Sequence, residues 1–395
     1  MLNRIQGAAR SSTATGAASE SRGEAIGAAE PDAAAVAPYG KRCAAQAQAA
    51  IDEHSHLGQL TRTLESLWFD PAHVAPSGRQ VGESLALLIE RDLDRLPLPG
   101  AGDTLGRWRA LAAVAACDLS LVKLYEGHTD ALAILAELDG RPRPAGSSWG
   151  VWAAETRGMS LRARRDGNFL ILDGVKCWCS GAAVLSHALV TAWLDDSTAC
   201  LVAVDLHAPG VEITDQGWRA IGMSAAASVD VRFASVPAIA VGAPGAYLSR
   251  AGFWQGGAGI AACWYGAAAW IAGRLRDAAA AKPTDSWHAM HLGAADVALA
   301  SAAALLRETA AAIDAAPRRS AMPAALRARL AVETAAAAVI QAAGRAMGAS
   351  PLCRDARFAR MTADLPVFLR QSHAERDLAA LGESLLTKSS GLWNL

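Results

Sequence analysis

The side chains able to do chemistry are few, and spacing settles some of them at once. Seven cysteines are spread along the chain, with no Cys-x-x-Cys pair matched by a second pair or by histidines. That pattern predicts neither a zinc site nor a disulfide framework; reduced thiols in a cytoplasmic protein are the expectation. Gly257-Ala-Gly259-Ile-Ala-Ala262, with Asp277 twenty residues after Gly257, is a loose form of the fingerprint that lays a pyrophosphate on a helix N-terminus. The fingerprint needs a strand before it and a second strand carrying the acid. No β-branched run precedes Gly257, and Asp277 sits among helix formers, so a dinucleotide fold is rejected. Four ionisable side chains remain. His128, in Glu126-Gly-His-Thr-Asp130, reads as a core histidine held by a neighbouring carboxylate. Asp364 precedes Pro366 and is placed to cap a helix opening there. His373 and Glu375, in the run Arg370 to Asp377, read as a solvated helix face or an inter-subunit contact.

These groups need elements to position them, and composition bounds what those are. The chain has 395 residues, with 37 basic against 38 acidic side chains. Near-neutrality argues against a nucleic-acid partner or a polybasic membrane binder. Hydrophobic residues make up 52% of the chain, enough for a sizeable core. Residues 1–38 have no aromatic residue and are rich in Ala, Ser and Gly, which predicts a disordered tail. Arg4, Arg10 and Arg22 resemble a transit peptide, but Glu20, Glu24, Glu30 and Asp32 weigh against one. Between Arg250 and Arg274 lie 23 uncharged residues, long enough to span a membrane. They are mostly Ala and Gly, which transfer weakly into lipid, so a tightly packed buried helix is expected and no membrane span.

Periodicity gives the order of elements. Apolar residues at three- and four-residue spacing predict helices over Ala44–Ile51, Leu57–Leu67, Val81–Leu96 and Arg107–Leu138. Short alternating runs with Asp-Gly and Pro-Gly turns then predict strands: Leu161–Ala163, Phe169–Leu172, Leu189–Leu194, Ala199–Val204, Val211–Ile213 and Val229–Phe233. Long helical segments return over Phe253–Ala281, His288–Ala315, Ala324–Ala346 and Pro366–Leu386. The class is α+β: an N-terminal helical domain (39–145), a central antiparallel β-barrel or sandwich (146–245) and a C-terminal four-helix bundle (246–395).

This order, with several motifs, resembles the acyl-CoA dehydrogenase family of flavoproteins. Asp173-Gly-Val-Lys-Cys-Trp178-Cys-Ser180 is similar to the family's nGxKxWxT/S strand. Gly222-Met223, Ser228 to Phe233 and Val236-Pro237 are similar to its lGmrxSxxxxvxFxxVxVP strand. Gln341-Ala-Ala-Gly344 and Arg354-Asp355-Ala-Arg357 resemble its GGxGy turn and RDaR loop. Together these cover roughly residues 95 to 385, in the family's order. The resemblance implies bound FAD, with Trp178 stacked on the flavin, Ser180 hydrogen-bonded to it, and Gln341 and Gly344 at its diphosphate. It implies an acyl-CoA or acyl-carrier thioester as substrate, oxidised at its CH–CH group. An electron-transfer flavoprotein or oxygen would accept the electrons, and the assembly would be a homodimer or homotetramer.

Two departures bear on the chemistry. Where the family carries TEPxxGSD, this chain reads Ala153-Ala-Glu155-Thr156-Arg-Gly-Met-Ser, so the Gly-Ser-Asp loop is missing. The usual catalytic Glu corresponds to Ala363, and no acid lies between Asp230 and Asp277, where the alternative base would be. Asp364 is the nearest replacement for a base that must reach the substrate α-carbon. His373 resembles the histidine of flavin monooxygenases that share the fold and need no such carboxylate. The resemblance with these departures is compatible with a dehydrogenase, a monooxygenase or a catalytically degenerate scaffold subunit.

Overall fold

The computed structural model describes residues 55–67, 77–138, 143–156, 158–386 and 393. The expected tail over 1–38 and the helix over Ala44–Ile51 lie outside them. Among the described residues four helices come first: α1 (His56–Ser66), α2 (Gly78–Glu90), α3 (Thr104–Cys117) and α4 (Leu119–Leu138). Ser77 opens α2 with a reciprocal cap, its hydroxyl accepting the Gln80 N–H while the Gln80 side chain accepts its own. The single helix expected over Arg107–Leu138 is two. Asp118 takes extended backbone (φ −157°). Its carboxylate accepts the Leu121 N–H at 2.7 Å, so it starts α4 afresh.

Seven strands follow: β1 (Trp149–Trp152), β2 (Leu161–Asp166), β3 (Phe169–Ser180), β4 (His187–Trp193), β5 (Ala199–Asp205), β6 (Val211–Ile213) and β7 (Ser228–Ala240). β4 pairs with both β2 and β5, β2 with β3, β3 with β7 and β7 with β5, which closes a five-stranded barrel. The pairing is not wholly antiparallel as expected, because β4 runs parallel to β1 and β2. β3 and β7 are longer than the apolar runs that mark them in the sequence, because their pairing continues past two bulges, between Leu172 and Gly174 and between Lys176 and Cys179.

The C-terminal part holds α5 (Ala246–Ser249), α6 (Gly252–Ala280), α7 (Ser286–Ala315), α8 (Met322–Met347), α9 (Ala349–Arg354), α10 (Ala356–Phe368) and α11 (Glu375–Leu386). α6 is the uncharged stretch, and it packs on α8, α3 and α7. Its small residues permit this: a Cβ on Gly266 would collide with the Ala112 backbone of α3. The helix that is long and apolar enough to cross a membrane is instead the largely exposed α7. The expected bundle helix over Pro366–Leu386 is also corrected. α10 opens at Ala356, capped by Asp355 Oδ1 on the Phe358 N–H at 3.0 Å, and contains Pro366. A short 3-10 turn and the bend at Ser372 then separate it from α11.

Candidate functional site

Strand β3 positions the first group. Its register against β7 shifts between Lys176 and Cys179, a bulge that places Trp178 at φ +62°. A left-handed conformation costs a side-chain-bearing residue roughly 1–2 kcal/mol, and such strain concentrates at functional positions. The bulge leaves Trp178 51% exposed, whereas Lys176 is 2% exposed. Trp178 Nε1 donates to Thr156 Oγ1 at 3.2 Å, and Trp218 meets its ring edge-on at 6.5 Å. A flat aromatic face is thus held upright at the surface. Two residues on, Ser180 Oγ shares a 2.7 Å hydrogen bond with Ser228 Oγ. Its carbonyl accepts from Trp152 Nε1 at 3.2 Å. Gly181 then seats the strand end on α4, where a Cβ would lie 2.8 Å from Leu124 Cγ.

Lys176 turns inward. Its ammonium donates to Glu155 Oε1 at 2.6 Å and to the Thr191 hydroxyl and carbonyl at 2.8 and 3.0 Å. Glu155 also accepts from Trp193 Nε1 at 3.1 Å. Burial pushes the Lys176 ammonium below its ordinary value although Glu155 holds it up. Burial works on Glu155 in the raising direction, but Lys176 keeps it below the usual carboxylate range.

Asp364 lies inside α10 and is 3% exposed, so it caps no helix. Oδ1 accepts the backbone N–H of Met223 at 2.6 Å. Arg360 Nε is 4.0 Å from Oδ2, and Arg360 itself donates to Asp118 Oδ2 at 2.7 Å. Burial drives the Asp364 carboxyl up to about 6, with Asp118 adding to the rise and the Met223 N–H and Arg360 opposing it. The preceding residue, Ala363, is packed against Gly222, whose Cβ would strike the Ala363 carbonyl.

The remaining expected residues stand apart from these groups. The His373 side chain is 56% exposed, its ring 4.0 Å from Asp377. Gln341 is exposed on α8, and a Cβ on Gly344 would meet nothing within 4 Å. His128 is a core residue: fully buried, it lies 3.0 Å from Asp94 through Nε2 and accepts the Trp149 N–H through Nδ1 at 3.2 Å.

Solved structures with this architecture include proteins solved with FMN bound. Dibenzothiophene monooxygenase TdsC from Paenibacillus sp. A11-2, also solved with FMN bound, shares 19% identity over 84% of this chain and 97% of its own, with a TM-score of 0.67. Butyryl-CoA dehydrogenase from Megasphaera elsdenii shares 14% over 85% and 99%, with a TM-score of 0.72. Methanesulfinate monooxygenase MsuC from Pseudomonas fluorescens shares 18% over 82% and 99%, with a TM-score of 0.65. The fold is that of the acyl-CoA dehydrogenases. No protein-family model matches the sequence, and no curated protein matches it.

Within the acyl-CoA dehydrogenase fold, the chain brings Trp178 and Ser180 together on one strand end against α4, and Asp364 onto the Gly222-Met223 turn. Among the described residues no group of three or more His, Cys, Asp or Glu could hold a metal ion. Sequence reasoning did not single out Lys123, Glu126 and Asp130 as a set. Their spacing of three and four puts all three on one stripe of α4, a signal available without the structure.

Proposed function

We propose that the chain is a flavin-dependent monooxygenase on the acyl-CoA dehydrogenase fold. The observation that carries this is the state of the base position. Ala363 is packed on Gly222, and the Asp364 carboxylate is buried against the Met223 N–H, so neither offers a carboxylate to a substrate α-carbon. A flavin held there would supply oxygen activation: with an external reductant, one atom of O2 would enter the substrate and the other leave as water, chemistry that needs no such base.

The residues fit a flavin. The exposed face of Trp178 offers the flat apolar wall a flavin ring requires, and the Ser180 hydroxyl sits two residues away for its polar edge. Gln341 and the open space over Gly344 suit the diphosphate of FAD, as the motif implies. The FMN in TdsC makes FMN the competing cofactor. Oxygen replaces an electron-transfer flavoprotein as acceptor, Asp364 acts as a positioning residue, and His373 lies outside the reaction. The monooxygenase names of TdsC and MsuC support this reading.

The test is anaerobic mixing of the flavin-loaded protein with butyryl-CoA and longer acyl thioesters, watching the flavin bands. No bleaching is expected. Bleaching by any thioester restores the dehydrogenase reading, and a colourless purified protein points to the scaffold. Heat-released flavin, separated by chromatography, distinguishes FAD from FMN.

A further inference from the structure

A buried histidine ties α4 to the strand that leads into the proposed flavin site. His128 is 0% exposed. Its Nδ1 accepts the backbone N–H of Trp149, the first residue of β1, at 3.2 Å. Its Nε2 lies 3.0 Å from Asp94 Oδ2, which Arg143 also contacts at 2.8 Å. These partners fix the state of the ring. A backbone N–H can only donate and an ionised carboxylate can only accept, so Nδ1 is bare and Nε2 carries the hydrogen. A doubly protonated ring would set Nδ1–H against the Trp149 N–H, two buried donors with no acceptor between them.

β1 carries this constraint to the groups proposed to hold flavin. It is an edge strand, paired with β4 alone among the described strands, and the Trp149 N–H ties it to α4. A Cβ on Gly127 would lie 3.9 Å from the Val151 nitrogen, so strand and helix are in contact. At the far end of β1, Trp152 is 2% exposed and donates its indole N–H to the Ser180 carbonyl at 3.2 Å. Four residues on, Thr156 accepts from Trp178 Nε1 at 3.2 Å. One strand therefore joins His128 to both Ser180 and Trp178.

The charges acting on the His128 ring are Asp94, from the loop before α3, and Arg143, from the loop before β1. β1 itself has no titratable side chain. His187 of β4 stacks on the Trp149 ring, centroids 4.7 Å apart. On α4, Tyr125 donates to the Leu93 carbonyl at 2.6 Å. Glu126 and Asp130, two residues either way, fall about 200° round the helix from His128. Burial pushes His128 below its ordinary value against the pull of Asp94, and Arg143 adds to the fall.

We propose that His128 is a positioning residue and an acid switch: its neutral ring locks β1 onto α4, and proton uptake frees β1 and loosens the grip of Ser180 and Trp178 on flavin. The effect on flavin rests on the flavin reading; the lock does not. A histidine that is neutral when docked takes up its proton on release. Opening of β1 therefore grows as pH falls below about 6.5, by up to about tenfold per pH unit for one proton.

The test measures amide exchange by mass spectrometry over residues 148–152 and over α6, each corrected for its intrinsic rate, from about pH 7.5 to about pH 5. The dissociation constant of whichever of FMN and FAD the protein retains is read over the same range. Protection of β1 is expected to fall against that of α6 with the slope given, and flavin binding to weaken in step. His128→Asn offers an amide oxygen to the Trp149 N–H and takes up no proton, so both readouts should be flat. His187→Phe keeps a ring on Trp149 and removes the other nearby titrating group, so the native slope should persist. Thermal melts check that both variants fold, and the native slope is read without either. Native β1 protection that tracks α6 at every pH, the native slope surviving in His128→Asn, or its loss in His187→Phe overturns the proposal. So does a yellow protein whose β1 opens while its flavin affinity stays constant. A colourless protein with the expected β1 slope keeps the lock and sinks the flavin reading.

Discussion

The Asp364 carboxylate holds the backbone N–H of Met223 at 2.6 Å, and Met223 stands in the left-handed conformation at φ +59° while 4% exposed. A buried acid from α10 therefore fixes a strained turn just before β7, across 141 residues of sequence. Arg360 and Asp118 extend the arrangement to the start of α4.

This arrangement has a pH signature. The carboxyl is raised to about 6 in the folded chain. An unfolded aspartate titrates near ~3.9. Between those values the folded chain keeps a proton that the unfolded chain has released, so stability falls as pH rises from about 4 to 6, by on the order of 2–3 kcal/mol. Above that window the loss is complete and the curve is flat with respect to this group. Asp364→Asn retains an oxygen to accept the Met223 N–H and has no proton to lose. Urea midpoints measured from pH 4 to 7 should show the variant gaining on the native protein across the window. Parallel curves would mean that Asp364 titrates normally.

Trp178 separates stability from binding. Trp178→Gly relieves the left-handed strain, worth roughly 1 kcal/mol, while removing the proposed wall. The melting temperature should hold or rise slightly while bound flavin per chain drops. Trp178→Phe keeps a flat face and should retain most of the flavin. Full flavin content in the glycine variant would place the cofactor elsewhere.

Much of this was legible in the sequence. Periodicity located the helices flanking a central β unit, because burial on one face writes itself into apolar spacing. The Asp173 to Ser180 motif marked the strand on which Trp178 and Ser180 stand. Local signals failed where a single polar group overrides a long pattern. Asp118 splits one periodic run by capping it, and Asp364 beside Pro366 mimics a cap although α10 runs through both. The Asp364–Met223 bond is a long-range contact with no spacing to betray it. The bulge at Trp178 is likewise a product of pairing with β7, not of its neighbours in sequence.

The Lys176–Glu155 pair joins the motif strand to the stretch that lacks the Gly-Ser-Asp loop. Glu155→Gln leaves a buried ammonium with neutral partners only. A fully buried pair broken this way costs about 3–5 kcal/mol. The Glu155 side chain is 41% exposed, so solvent screens part of the interaction and a loss on the order of 2 kcal/mol is expected. Adding Lys176→Met removes the stranded charge and should recover most of it. Urea denaturation reads both. A Glu155→Gln protein within about 0.5 kcal/mol of the native one would show that Thr191 alone satisfies the lysine.

Helix α7 predicts the assembly. Trp287, Met290, Ala294, Val297, Ser301 and Ala304 follow one another at spacings of three and four, and all are exposed. Trp287 is 70% exposed, Met290 51% and Val297 68%, on a helix apolar enough to enter a membrane. A continuous apolar seam of this kind is the pattern by which one helix packs along another, and exposed patches of this sort mark an interface. The occupant proposed is a second copy of the chain, since each copy would bury its own seam in a symmetric contact. Light scattering should return a multiple of 40.8 kDa. Met290→Lys with Val297→Lys puts charges into the seam without touching the inward face of α7, so the variant should fall to the single-chain mass with its bound flavin unchanged. A native protein already at the single-chain mass would refute the interface, and one that stays dispersed only in detergent would assign the seam to lipid.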